Sequence, residues 1–407
     1  MSLLGKKNFS LGFLRNPNFL LILWTLICAI ASFKQYAISD ALSGKCAYNN
    51  FRVFIYSFKH LLAHQNLYGA YPAEYFDLYH YGPIFALLIA PFYYLPIEIS
   101  LILWGALNAW CLFKAIWSLP LDSHAKAAII WISTNTLITS TLNTQFHAIC
   151  VAMIILSYTY IVKKKDILGT LFIVLGAFIK LYGIVGLAFF FFSKSKKHFI
   201  LWSLIWTIAI FILPMLFCKL AYIIQTYIDW YTDLIHKNGS NSDITQTRLD
   251  VCVMGMVRRI THNGTLSNLY YILPALFVMA ISYFRFKLHR QVSFQLAVLA
   301  SLLLFIILAS TGSESPTYII AFPGVGIWYI LEKKKNILVI SLLIITLLIS
   351  SFSPTDLFPR SIRINYLEPY ALMALPVFLV WLRLNYLMLT NQLNQVNPIV
   401  PTQAPNS

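Results

Sequence analysis

Charge is what this sequence has least of. Only 11% of its 407 residues are Asp, Glu, Lys or Arg, where a soluble domain carries roughly a quarter. That shortage excludes a water-soluble globular chain. With 59% hydrophobic residues and a mean hydropathy of +0.72, the chain reads as an integral membrane protein. Acids are the scarcest group, 14 Asp and Glu against 30 Lys and Arg. The resulting net charge of +16 does not point to nucleic acid, because the basic residues come in short clusters between apolar runs, the pattern that sets membrane topology. The six cysteines (Cys28, Cys46, Cys111, Cys150, Cys218, Cys252) form no CxxC and no metal-ligand spacing. Cys46 and Cys252 fall in loops read as outer and could pair; otherwise all six are isolated small apolar residues. No internal repeat and no duplicated pair of Gly/Pro-broken helices is present, which weighs against a transporter. A cleavable signal peptide is not evident either, since the first apolar run, 19–38, is of spanning length and lacks a small-residue cleavage site.

What is present is organised around Tyr71–Pro96, YPAEYFDLYHYGPIFALLIAPFYYLP. Tyr71, Tyr75, Tyr79 and Tyr81 surround two carboxylates, Glu74 and Asp77, and the chain turns apolar at Pro83. Tyrosines at that level suit the membrane–water interface, and acids beside hydrocarbon are costly enough to mark function. The stretch reads as an acidic ledge just outside the bilayer.

Taken in order, Lys6, Lys7 and Arg15 precede the first span and set the N-terminus, residues 1–18, in the cytoplasm. In the following loop Asn49 or Asn50 can cap a helix carrying Phe51, Phe54, Phe58, Leu61 and Leu62 at helical spacing. Such a helix lies in the interface plane and roofs the ledge. Apolar segments follow at 83–96, 98–118, 125–141, 144–162 and 166–193, with Lys163–Lys165 between the last two and Lys194, Lys196 and Lys197 after them. Spans near 199–218, 268–284, 291–310, 317–331, 337–352 and 369–387 complete a membrane domain over 19–389. Residues 219–236 form a second interfacial helix. The polar stretch 390–407 reads as a disordered cytoplasmic tail. The region 83–193 has two readings. Four crossings before Val162 put Lys163–Lys165 outside, against the charge rule; three crossings put them inside and make 166–193 a hairpin. Both termini are cytoplasmic either way.

A base that removes a hydroxyl proton must be a carboxylate within reach of the acceptor and partly shielded. Asp77 is the first candidate, then Glu74, then Asp40 just after the first span; each is otherwise a solvated loop acid. Lys180, inside GAFIKLYGIVG, either snorkels or meets an anionic group such as a lipid phosphate. Arg258 and Arg259 sit in an outer loop against the charge rule and would suit an anionic head group, or are an exposed pair. Gln145 and His147 lie at a turn between apolar segments, where they bind sugar hydroxyls or cap helices. Tyr79, Tyr81 and the outer acid Glu314 complete the candidate substrate contacts. No DxD-type acidic pair stands in the outer loops, so neither a metal nor another cofactor is expected.

The order of one span, a long outer loop with an interfacial helix ending in Tyr79-His-Tyr-Gly-Pro83, a membrane Lys-Leu-Tyr at 180–182 and a late SESPTYIIAFPGVGIW at 313–328 resembles glycosyltransferase family 87 from about residue 16 to 387. Phrases such as VMGMVRR and SPTDLFPRSIR resemble members from Bacteroidota-type bacteria. The resemblance implies an all-α polytopic membrane protein, a GT-C-like bundle of about 11–13 transmembrane helices with two interfacial helices. It implies a polyprenyl-phosphate donor, often of mannose, transferred with inversion to an extracytoplasmic lipid or glycan at the bacterial cytoplasmic membrane. It also implies an Asp base shortly after the first span. Here Asn49 and Asn50 stand at that place, leaving Asp77, Glu74 or Asp40, or a catalytically inactive relative. A transporter or flippase of a lipid-linked glycan is the alternative from another class.

Overall fold

The computed structural model describes residues 11–41 and 46–396. Asp40 lies in the last turn of the first helix, but its side chain lies outside the described residues, as do residues 1–10, 42–45 and the tail from 397. The described chain is all-helical, with a single isolated bridge and no strand, and its helices are those of a polytopic membrane protein. Four of them, Pro17–Ser39, Ile97–Trp117, Lys196–Leu216 and Val292–Ala309, are long and apolar enough to cross a bilayer alone. Shorter apolar helices fill the remaining space.

After α1 (Pro17–Ala41) comes the amphipathic α2 (Asn49–Leu62). Phe51, Phe54, Phe58 and Leu61 are buried as the spacing predicts, while Leu62 is exposed. Neither asparagine caps the helix: Tyr48 holds the cap position, and Asn49 Oδ1 accepts from the Phe76 amide at 3.1 Å. Segment 83–96 does not cross. It breaks into α3 (Pro83–Leu88) and α4 (Ala90–Tyr93), packed under α2 through Phe54–Phe85 and Phe58–Tyr93 ring contacts. Three helices follow, α5 (Ile97–Trp117), α6 (Ser123–Leu142) and α7 (His147–Val162). Lys163 Nζ then returns to the Ser118 carbonyl at the end of α5.

This settles 166–193 as a hairpin. Its outgoing arm, α8 (Asp166–Ile179), breaks at Lys180, and a 3-10 arm, Leu181–Phe192, comes back. The two ends meet where Ser193 Oγ donates to Asp166 Oδ2 at 3.1 Å. Lys163–Lys165 and Lys194–Lys197 therefore share one end of the bundle, and Lys180 is the apex at the other. The arms touch backbone to backbone, since a Cβ on Gly183 would lie 2.3 Å from Ala177 N and Gly176 C.

Next come α9 (Lys196–Ile212), the half-exposed surface helix α10 (Leu220–Asn241) and α11 (Val253–Ile260). The rest comprises α12 (Leu269–Tyr283), α13 (Val292–Ala309), α14 (Phe322–Leu331), α15 (Ile337–Ile345), a short α16 (Arg360–Ile362) and α17 (Ala374–Thr390). At the lysine-rich end Arg285 donates to the Met388 and Leu389 carbonyls, and Arg383 pairs with Glu332 at 2.7 Å. The expected disorder from 390 does not begin there: Leu393 is buried, and the Asn394 amide donates to the Leu331 carbonyl at 2.8 Å. Both candidate disulfide cysteines are free; Cys252 is buried at the start of α11 with its thiol on Asp250.

Gly183→Val should force the hairpin arms apart and cost roughly 1–3 kcal/mol by overpacking, read as a lowered thermal midpoint in detergent. Gly239→Ala, whose Cβ meets nothing within 4 Å, should hold or raise the midpoint.

Candidate functional site

The ledge and the hairpin apex meet through one glycine. The Gly82 amide donates to the Ile179 carbonyl at 3.0 Å, and a Cβ there would lie 1.8 Å from Phe178 O. Only a residue without a side chain lets the two backbones approach so closely. Trp230 of α10 closes the third side, with its Nε1 on the His80 carbonyl at 3.3 Å.

Between these elements is a cavity of about 320 Å³, within the size range of small-ligand pockets. Asp77, Tyr81, Gln145, His147, Lys180 and Glu314 all line it, although they come from the ledge, the α6–α7 turn, the hairpin apex and the loop after α13. Lys180 Nζ lies 2.9 Å from His147 Nε2 and over the Tyr81 and Tyr182 rings at 5.4 and 5.0 Å. An ammonium only donates, so Nε2 accepts and the imidazole is neutral. Lys180 thus has a polar partner and an aromatic cradle, and Glu314 is the carboxylate it acts on across the cavity. Asp77 is exposed at the cavity wall, one oxygen accepting the Leu78 amide at 2.8 Å. Burial raises the carboxyl of Glu314 above its ordinary value, while Lys180 and Lys237 pull it down.

The other candidates are elsewhere. Glu74 lies outside the cavity and is clamped by Lys59 at 2.5 Å and His60 at 2.6 Å. A carboxylate already held by an ammonium and an imidazole N–H is a poor proton acceptor. Tyr79 is fully buried, its hydroxyl spent on the Gly82 carbonyl at 3.0 Å, so it props the ledge without facing a ligand. Arg258 and Arg259 are not an exposed pair: both are buried. Arg258 grips Asp250 at 2.6–2.8 Å, and Arg259 donates to the Asp250, Gln246 and Leu249 carbonyls. Their charge organises the loop before α12 and does not reach the cavity.

Sequence reasoning passed over His80, Lys237, Asn238, Asn241, Ser310 and Thr311, which also line the cavity. A signal existed for part of this set. Leu234, Lys237, Asn238 and Asn241 fall at i, i+3, i+4 and i+7 and so share one face of α10, a polar extension of the face that carries Trp230. Thr311 Oγ1 ties that face to the loop after α13 by donating to Asn238 Oδ1 at 2.7 Å. Among the described residues no group of three or more His, Cys, Asp or Glu could hold a metal.

With this geometry in place, the comparisons decide the family. The sequence model of glycosyltransferase family 87 matches residues 79–311, more than half of the chain. The chain belongs to glycosyltransferase family 87. It is accordingly a membrane glycosyltransferase, and the matched stretch opens on the ledge at Tyr79 and closes on Thr311 at the far wall of the cavity. No curated protein matches the chain significantly.

Burial raises the Glu74 carboxyl, but Lys59 and His60 more than offset that, and it titrates below its ordinary 4.5. A depressed folded value stabilises above the unfolded one and is lost as pH falls through the folded one. Glu74→Gln should therefore cost about 1–2 kcal/mol at neutral pH, with the gap to wild type closing below about pH 4.5. Urea unfolding across that range checks it.

Proposed function

We propose that this family 87 glycosyltransferase moves a hexosyl group, mannosyl as the first choice, from a polyprenyl monophosphate to a lipid or glycan acceptor, with inversion. The cavity end is read as the outer face of a bacterial cytoplasmic membrane. The lysine-rich end, which carries both described chain ends, is read as cytoplasmic under the positive-inside rule. A GT-C-type bundle with its site at the outer surface fits this orientation.

The observation that carries the reading is the single cavity holding Asp77 on one element and Lys180 on another. In the proposed step the acceptor oxygen attacks the anomeric carbon, and its proton passes to the Asp77 carboxylate. The carbon–oxygen bond to phosphate breaks, and polyprenyl phosphate leaves with the bonding pair. Charge builds on the leaving phosphate, where Lys180 and Lys237 can stabilise it. Leu181, Ile184 and Leu187 are exposed at three-residue spacing on the 3-10 arm. This apolar ridge leads away from Lys180 and suits a lipid chain hanging from a phosphate held there. A neighbouring cavity of about 470 Å³ shares Asn238, Ser310 and Thr311 with the first and is lined by Ser242, Thr265, Ser267 and Asn268. Arg258 also lines it, with its charge already paired to Asp250, and the hydroxyls and amides beside it suit a polyol, which supports a glycan-bearing acceptor.

Protein in liposomes with radiolabelled polyprenyl-phosphate mannose should yield labelled lipid or glycan. Asp77→Asn should reduce transfer at least about 100-fold, the scale of general base catalysis, without changing the thermal midpoint. Full activity in that variant would remove Asp77 from the step. Lys180→Met should weaken donor binding about 10- to 100-fold, the loss of a charge-assisted hydrogen bond. Movement of donor across the bilayer with no product would turn the reading to a flippase.

A further inference from the structure

His80 stands between the buried Tyr79 and the cavity-side Tyr81 of the ledge and lines the same cavity. Its Nδ1 lies 2.8 Å from Asp233 Oδ2, contributed by α10. The ionised carboxylate only accepts, so Nδ1 carries the hydrogen and the ring is oriented from behind. Trp230 Nε1 fixes the same residue through its carbonyl. Nε2, the far nitrogen, is buried and has no partner among the described residues. An unsatisfied buried acceptor is costly, and a ring held by Asp233, on a backbone that Trp230 fixes, cannot turn to find a partner. It needs a ligand that brings a hydrogen.

The chemistry around it narrows the ligand. Lys180 and Lys237 supply the cations for a phosphate, and Asp77 and Glu314 are the carboxylates facing the same space. With the hydrogen on Nδ1, Nε2 is left to accept, and an accepting nitrogen adds nothing for a phosphate oxygen, which is itself an acceptor. It suits a hydroxyl, and in a cavity of about 320 Å³ the group attached to a bound phosphate is the sugar.

We propose that His80, held by Asp233, accepts a hydrogen bond from a hydroxyl of the transferred sugar and so determines which sugar sits correctly beside Lys180. This rests on the donor proposed above. Asp233 is then a positioning residue, and the His80–Asp233 pair reads the sugar while Asp77 serves the acceptor.

The test uses the full-length protein in liposomes with polyprenyl-phosphate mannose and the set of its monodeoxy analogues. Wild type, His80→Ala and Asp233→Asn are compared by kcat/KM. His80→Ala should lose about 10- to 100-fold on the full sugar, the scale of one buried hydrogen bond. One deoxy donor should cost wild type a similar factor, and on that donor His80→Ala and wild type should be equal. Asp233→Asn should show a smaller loss with the same donor profile. Because the profile is a ratio between donors, a partly unfolded preparation cancels out. Undiminished activity in His80→Ala overturns the proposal. So does an equal loss on every donor, which a purely structural pair, a phosphate contact or a contact to the acceptor would give. If wild type transfers from no lipid-phosphate sugar, the donor reading itself falls, and this inference with it.

Discussion

A lysine in the middle of an apolar segment constrains this molecule more than any other residue. On insertion scales a central lysine costs about 2.5–3.5 kcal/mol in hydrocarbon. A single straight pass over 166–193 would put Lys180 there. The chain avoids that by folding back at Lys180, so that the residue becomes an apex with His147 Nε2 at 2.9 Å and two tyrosine rings around it. The fold-back has its own requirement. Two arms this short gain contact only if their backbones touch, which Gly176 and Gly183 allow. The apex then offers the Ile179 carbonyl to Gly82, and the acidic ledge is drawn to the cation. Hairpin, ledge and cavity are one arrangement.

The basic residues divide by what holds them. Arg258 is spent on a buried carboxylate and Arg259 on a row of carbonyls. Arginine's planar fork suits such multidentate work. Lys180 and Lys237 face the cavity as compact charges, in a site that also holds Asp77 and Glu314. A cavity with both signs of charge can attract an anionic leaving group and still accept a proton, two demands that a purely basic site could not meet together.

Much of this arrangement is legible in the amino-acid sequence. Composition determines the class, the helical spacing of Phe51, Phe54, Phe58 and Leu61 defines the buried face of α2, and the clustered lysines mark one end of the bundle. The ledge, Lys180, Gln145 and His147 are visible because polar groups inside apolar runs stand out. Exposure is what a linear chain conceals. Arg258 reads as an unpaired external cation because its partner, Asp250, is brought to it by a loop with a left-handed residue at 250 (φ 53°), and no local pattern reports such a turn. Glu74 reads as the next candidate after Asp77, three residues away, yet one faces Lys59 and His60 of α2 while the other faces the cavity. His80 is hidden by ordinary composition, since its meaning depends on Asp233, 153 residues further on.

The asparagines where the family resemblance implies an aspartate are explained by what surrounds them. Asn49 accepts a backbone hydrogen bond from Phe76 and so ties α2 to the ledge directly before Asp77. Asn50 lines the cavity, and its Nδ2 donates to the Asn143 carbonyl at 3.0 Å. A carboxylate at 50 would set two acceptors against each other there, an unfavourable exchange in a partly enclosed site. The amide therefore fits position 50 as the chain is built, joining α2 to the α6–α7 turn from which Gln145 and His147 project. The negative charge that an aspartate would have brought to this wall is present instead at Asp77, which the same α2–ledge contact holds in place. The cavity thus has a carboxylate on the loop that α2 covers, and an amide at the helix start.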